Sequence, residues 1–188
     1  MLDRFNVAPI LRGHWKGLTN GQYLTHRPDV VARIILLLPV GLFGYLFARG
    51  ASLASPAALL TGAALLAGGM LSAFTHLSTL RLKITEWDGD DGVSRFSVER
   101  DMLDETAAHL LTGSLACVLD AAALVVGMNV SLDKKGHLTG FWAALSAGIS
   151  FYVLLIFVVI LPRLYSAYVE INNVKGRLSG FTRGKGRD

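Results

Sequence analysis

The chain has 188 residues, 52% of them hydrophobic, and a mean hydropathy of +0.47. This apolar content argues against an ordinary soluble fold, and the length predicts a single domain. The one cysteine, Cys117, excludes a disulfide framework and a cysteine-based metal site. The formal net charge of +4 is unevenly distributed along the chain, and that distribution predicts the topology.

Residues 1–29 mix basic residues with aromatic and aliphatic ones and contain no early apolar core. A cleavable signal peptide needs such a core, so we do not expect one here. Basic residues interleaved with Trp15 and Tyr23 favour a segment that lies on the lipid headgroups; the alternative is a mobile tail.

Four apolar stretches are long enough to cross a bilayer, whose hydrocarbon core of about 30 Å needs roughly 20 residues of helix. The predicted spans cover residues of about 30–49, 56–78, 106–128 and 139–161. The sequence therefore predicts an all-α, polytopic membrane protein with a four-helix transmembrane domain over residues 30–165. Pro162 is expected to end the fourth span, and a basic tail follows at 166–188.

Residues 79–105 form the only sizeable predicted loop. The spacing of Leu80, Ile84 and Trp87 predicts that the second helix continues into it; a short hairpin is the alternative. Acidic residues in this loop are candidates for docking a cytoplasmic protein; these residues are Asp88, Asp90 and Asp91.

The lysines and arginines predict the orientation, because positive residues stay in the cytoplasm. Of the 18 in the chain, three lie in the first and third predicted connections: Arg49, Lys134 and Lys135. All others lie on the opposite side. Both termini and residues 79–105 are therefore predicted to be cytoplasmic, in the inner membrane of a bacterium.

The third span carries an acid, Asp120, near its middle. Eight strongly apolar residues of this span favour insertion by about 2.4–4.8 kcal/mol, and an Asp near the centre costs about 2.5–3.5 kcal/mol. The two contributions nearly cancel, so the helix needs neighbours. Helical steps from Asp120 reach several small residues, which allow another helix to approach closely: Gly113, Ala116, Cys117, Ala123 and Gly127.

We expect Asp120 to face protein or a water-filled cavity. Tyr45, Thr61 and Ser146 lie at a similar depth in the other spans and are its candidate hydrogen-bond partners. No lysine or arginine lies at that depth, which predicts a protonated or ion-coordinating acid, or copies that meet on an oligomer axis. The alternative is a packing role, with one hydrogen bond between helices.

A second candidate cluster lies near the cytoplasmic ends of the spans. It consists of Arg33, His76, His109 and Glu105. His76 and His109 are on neighbouring antiparallel helices at similar depth, which is compatible with a haem iron between them. The alternatives are a protonatable switch at the inner mouth, and polar residues at headgroup level.

The sequence lacks enzyme signatures such as a phosphate-binding glycine loop, HExxH or a nucleophile elbow, so we do not expect an enzyme. Small-residue faces on spans two, three and four predict a homo-oligomer. The leading hypothesis is a channel, pore or membrane-perturbing effector, of a type that can act in bacterial defence or stress systems. The alternatives are a scaffold or sensor for a cytoplasmic partner and, third, a haem-binding electron carrier. Membrane lipids are expected partners, and nucleic acid is not.

Overall fold

The computed structural model describes residues 6–18, 30–87 and 97–171. The described helices are α1 (Ala8–Lys16), α2 (Val30–Ala48), α3 (Pro56–Trp87), α4 (Ser97–Val130) and α5 (Gly140–Ile171). Helices α2 to α5 are long and apolar enough to cross a membrane. The prediction of an all-α fold with four helices long and apolar enough to span a membrane is therefore confirmed.

Three helices are longer than a bilayer requires. α3 and α5 have 32 residues each and α4 has 34, so each extends about 48–51 Å at 1.5 Å per residue. α3 continues as a helix to Trp87, as predicted, while Asp88, Asp90 and Asp91 lie outside the described residues.

α5 continues past Pro162 to Ile171, which corrects the predicted helix end. A proline removes only one intrahelical hydrogen bond. The turn after it is anchored, because the Arg163 guanidinium donates to the Glu105 carboxylate at 2.7 Å.

The helices pack side by side, with α4 in the central position. α4 contacts α1, α3 and α5, and α2 packs mainly on α5. In the most apolar part of α4, 56% of residues are buried, against 11% in α2 and in α3. α2 and α3 are thus the outer helices of the arrangement.

Glycines of α4 bring the neighbouring helices α3 and α5 close to it. A Cβ atom added at Gly127 would lie 2.8 Å from Trp142 Cβ, and one added at Gly113 would lie 2.6 Å from Met70 Sδ. The apolar core lies between these helices and includes Met70, Leu110 and Ile156.

A two-stranded antiparallel sheet closes the end of the bundle opposite α1, which we call the β end. β1 (Ser52–Leu53) pairs with β2 (Leu138–Thr139) and thereby joins the α2–α3 and α4–α5 connections. In the α4–α5 connection, the backbone N–H of His137 donates to the exposed Asp133 carboxylate and holds the pKa of that group below its usual range. This turn gives an exposed, ionised acid at the β end.

Candidate functional sites within the bundle

Asp120 lies on α4 and is 1% exposed. The Ser150 hydroxyl, on α5, donates to Asp120 Oδ2 at 2.5 Å. A hydroxyl-to-carboxylate hydrogen bond of this length is typical of a charge-assisted contact. Asp120 is therefore held by the neighbouring helix, as expected for an acid that cannot face lipid.

The second oxygen of Asp120 makes no hydrogen bond of good geometry within residues 6–18, 30–87 and 97–171. The hydroxyl of Ser146, which is fully buried one turn before Ser150 on α5, lies close enough to the Asp120 carboxylate to interact with it, but also without good hydrogen-bond geometry. A buried polar atom without a partner costs about 1–3 kcal/mol, so such atoms need an explanation. A bound proton, water or cation at Asp120 would provide one.

Asp120 opens onto a cleft of about 470 Å³, which we call the acid cleft. Ser150 and Cys117 also line it, and α3 forms the opposite wall. That wall consists mostly of small and aliphatic residues: Ala58, Leu59, Gly62, Ala63 and Leu66. The cleft therefore has a single acidic group in an apolar surrounding, a combination suited to one proton or one small cation.

The candidate partners of Asp120 occupy different surroundings. Ser146 is buried on the face of α5 that carries Ser150. Tyr45 on α2 is 61% exposed, with Arg49 above its ring. Thr61 is exposed on α3 and donates to the Ala57 carbonyl. Of the three, Ser146 is on the helix that contacts the acid.

A histidine pair lies at the α1 end of the bundle. His109 on α4 is fully buried, and its Nδ1 is 2.6 Å from Nδ1 of His14 on α1. The other nitrogen of His14, Nε2, is 3.2 Å from the Tyr152 hydroxyl on α5. Tyr152, His14 and His109 thus form a hydrogen-bonded chain across three helices.

His14 is neutral near pH 7. Burial, and to a smaller extent the positive charge of Arg163, lower its pKa to about 4. Arg163 donates from Nη1 to Glu105 and from Nη2 to the Gly17 carbonyl, at 2.9 Å, so it joins α5 to α4 and to the end of α1.

The predicted cluster of Arg33, His76, His109 and Glu105 is divided among separate surroundings. His76 is exposed on α3, whereas His109 is buried against His14, so the two proposed haem ligands lie in different surroundings, and haem binding between them stays a prediction. Arg33 lies over the Trp15 ring, with its guanidinium carbon 5.1 Å from the ring centroid. Among the described residues, no group of three or more His, Cys, Asp or Glu side chains could hold a metal ion.

Comparison of the chain with protein-family models, with curated proteins and with solved structures finds no match. Function is therefore inferred from the chemistry of these sites.

Proposed function

We propose that the protein is a homo-oligomeric membrane channel for protons or small cations, in which Asp120 lines or gates the pathway. The observation that carries this proposal is the buried carboxylate of Asp120 at the wall of the acid cleft, with no cationic side chain among the described residues that line the cleft. Acidic groups in a pore select cations. An intramembrane acid without a counter-charge is costly, so a functional role accounts for its presence.

The contrast between the two outer helices supports oligomer formation. α2 exposes bulky aliphatic residues such as Ile34, Leu38 and Val40, which suit contact with lipid. α3 exposes a face on which small and hydroxylated residues surround Leu65; these residues are Thr61, Gly68, Ser72 and Thr75. Such faces are typical of close helix–helix contacts in membranes.

The glycines of α3 support the same conclusion. A Cβ atom added at Gly62, Gly68 or Gly69 would meet nothing within 4 Å, in contrast to Gly113 on α4. These glycines therefore serve no close contact among the described residues of one subunit. A second copy packed on α3 would use them, and it would also extend the α3 wall of the acid cleft.

The orientation belongs to the same proposal. With both termini in the cytoplasm, α1 and the histidine pair lie at the inner surface, and the β end faces outward. This assignment rests on the lysine and arginine distribution, and the bacterial inner membrane is the membrane that we propose.

Cation flux into liposomes that contain the purified protein tests the proposal. Asp120→Asn removes the charge but keeps a similar shape, so we expect loss of the flux. Asp133→Asn is the matched control, because Asp133 is exposed at the β end and an Asn side-chain oxygen can still accept from Lys135 and His137 N–H groups. Equal flux in the two variants would contradict a pathway through Asp120.

A scaffold for a cytoplasmic protein is the second candidate. It is favoured by the extension of α3 and α4 beyond a bilayer length, where Arg81 and Asp104 form an ion pair at 3.1 Å between them. Near this pair, a recess of about 310 Å³ is lined by Lys16, Asp101 and Glu105, among others. The scaffold predicts that Asp120→Asn preserves function, whereas reversing the charges of Asp88, Asp90 and Asp91 abolishes it.

A further inference from the structure

A second cleft, of about 420 Å³, lies between α2 and α5 and is distinct from the acid cleft. Its volume falls within the range of about 300–1,000 Å³ that is typical of small-molecule sites. Aliphatic and aromatic side chains line most of it, including Leu36, Val40, Phe43 and Ile149. At the α1 end it is bounded by His14 and Trp15. We call it the α2–α5 cleft.

The backbone of the two helices shapes this cleft. Gly148 of α5 meets α2 closely, since a Cβ atom there would lie 3.3 Å from the Pro39 carbonyl oxygen and 3.2 Å from Phe43 Cβ. Val40, on the cleft wall, is 66% exposed, so the cleft opens to the surroundings of the bundle. Because α2 and α5 are membrane-spanning helices, these surroundings are hydrocarbon, and an occupant must come from the lipid phase.

The polar groups at the α1 end decide what kind of molecule fits. The hydrogen-bonding atoms of His14 are already engaged, with His109 and with Tyr152. Arg33 lies one turn before Leu36 on α2, and its guanidinium covers the Trp15 ring. Its Nη2 donates only weakly, to the Trp15 carbonyl oxygen at 3.4 Å, and its buried Nε has no partner within the described ranges.

A guanidinium binds phosphate well, because its two Nη groups can donate parallel hydrogen bonds to phosphate oxygens. Among the residues that the structure describes, no Asp or Glu side chain lines the α2–α5 cleft. The α2–α5 cleft is thus apolar and open to lipid, and the Arg33 guanidinium lies beside its rim. An anionic headgroup with an attached acyl chain matches both parts.

We propose that the α2–α5 cleft binds one anionic phospholipid, with an acyl chain along Val40 and Ile149 and its phosphate on the Arg33 guanidinium. The lipid would fill the gap between α2 and α5 beneath α1 and thereby stabilise the docking of all three helices. This site is independent of the ion pathway that we propose at Asp120.

Native mass spectrometry of the full-length protein in detergent, titrated with phosphatidylglycerol, tests the proposal. We expect one tightly retained phosphatidylglycerol per chain, and retention about tenfold weaker in Arg33→Gln, the loss expected for a hydrogen bond to a charged group. Arg49→Gln is the matched control, since Arg49 lies over Tyr45 near the other end of α2. It should retain the lipid as the wild type does.

A second variant tests the acyl-chain part of the site. Val40→Trp places a bulky side chain in the cleft at an exposed position, which the fold should tolerate, and it should also reduce lipid retention. Equal retention by Arg33→Gln and Arg49→Gln would overturn the proposal. So would equal retention of phosphatidylcholine and phosphatidylglycerol by the wild type, or full retention by Val40→Trp.

Discussion

The Nδ1 atoms of His14 and His109 lie 2.6 Å apart, although the two residues are 95 positions apart in the chain. Only one of two facing ring nitrogens can carry a proton at this distance, so the pair shares one hydrogen bond. The contact holds α1, which is outside the membrane-spanning helices, on the centre of the bundle. The hydrogen bond can form only while at least one of the two facing Nδ1 atoms carries no proton.

The first prediction concerns pH. The pKa of docked His14 is about 4, below its ordinary value of 6.5, so the docked state binds fewer protons than the undocked state. Docking of α1 should be strongest above about pH 6.5 and should weaken as the pH falls through about 4, by at most about 3 kcal/mol. Hydrogen exchange of residues 8–18, measured between pH 7 and pH 4, should show increasing opening.

Substitution of the histidine provides the control. His14→Phe keeps an aromatic ring but cannot be protonated, so exchange in residues 8–18 should lose most of this pH dependence. His137→Phe, in the connection at the β end, should leave it unchanged. The same pH dependence in His14→Phe as in the wild type would show that the histidine pair does not control docking. Glu105, Arg163 and Tyr152 are the other titratable or charged groups that face the pair.

The second prediction compares two ion pairs. Arg163 bonds to Glu105 and to the Gly17 carbonyl and is about three-quarters buried, so Arg163→Gln should lower the stability by about 1–3 kcal/mol. Arg81→Gln removes the more exposed pair with Asp104 and should cost at most about 1 kcal/mol. Thermal unfolding in detergent measures both. A larger loss in Arg81→Gln than in Arg163→Gln would contradict the assigned roles.

The helices, including the continuation of α3 to Trp87, were predictable from the sequence because long apolar runs and helical spacing are strong signals, whereas the end of α5 was not. α5 does not end at Pro162, because Arg163 forms an ion pair with Glu105 on α4. No local sequence pattern predicts such a tertiary contact. The docking of α1 is of the same kind. His14 lies in a short segment with a proline and two glycines, and its partner His109 is far along the chain.

The third prediction compares two glycines: Gly148, where α5 packs on α2, and Gly68, on the exposed side of α3. Gly148→Ala introduces a methyl group 3.3 Å from the Pro39 carbonyl oxygen, and this rigid backbone atom cannot move away easily. The variant should be destabilised by about 1–3 kcal/mol through overpacking. Gly68→Ala meets nothing within 4 Å and should be neutral or more stable by up to about 1 kcal/mol, because Ala favours helix. Thermal unfolding of the monomer distinguishes the two.

The fourth prediction tests the α3 face as the oligomer contact. Gly68→Leu places a large side chain where one subunit has open space, so each subunit should fold normally. If a second copy packs closely on this face, the variant should dissociate to monomers in native mass spectrometry. Val40→Leu on the exposed, lipid-facing side of α2 is the control and should keep the wild-type assembly. An unchanged assembly in Gly68→Leu would exclude this face as the contact.

For Asp120 and its candidate partners, the sequence predicted the depth of each residue in the membrane but not the side of its helix on which it lies. Hydropathy and small-residue spacing are sufficient to place Asp120 inside the bundle, and Ser146 lies on the helix that contacts it. Tyr45 and Thr61 have suitable depth but lie on exposed parts of the outer helices. Ser150, the residue that bonds the acid, is one turn from Ser146; this i, i+4 serine pair was the available signal.

The central claim is that water and ions reach Asp120 through the acid cleft. Cys117 lines this cleft but is itself buried, whereas a Cβ atom added at Gly62, on the α3 wall of the cleft, meets nothing within 4 Å. Gly62→Cys in a Cys117→Ala background therefore places the single thiol of the chain in the open part of the cleft. The decisive measurement is liposome cation flux before and after treatment with a permanently charged thiosulfonate reagent, which cannot cross lipid. We predict that modification of the introduced thiol blocks the flux and that Cys117→Ala alone is insensitive. A conducting protein whose introduced thiol stays unmodified, or is modified without loss of flux, would contradict the account.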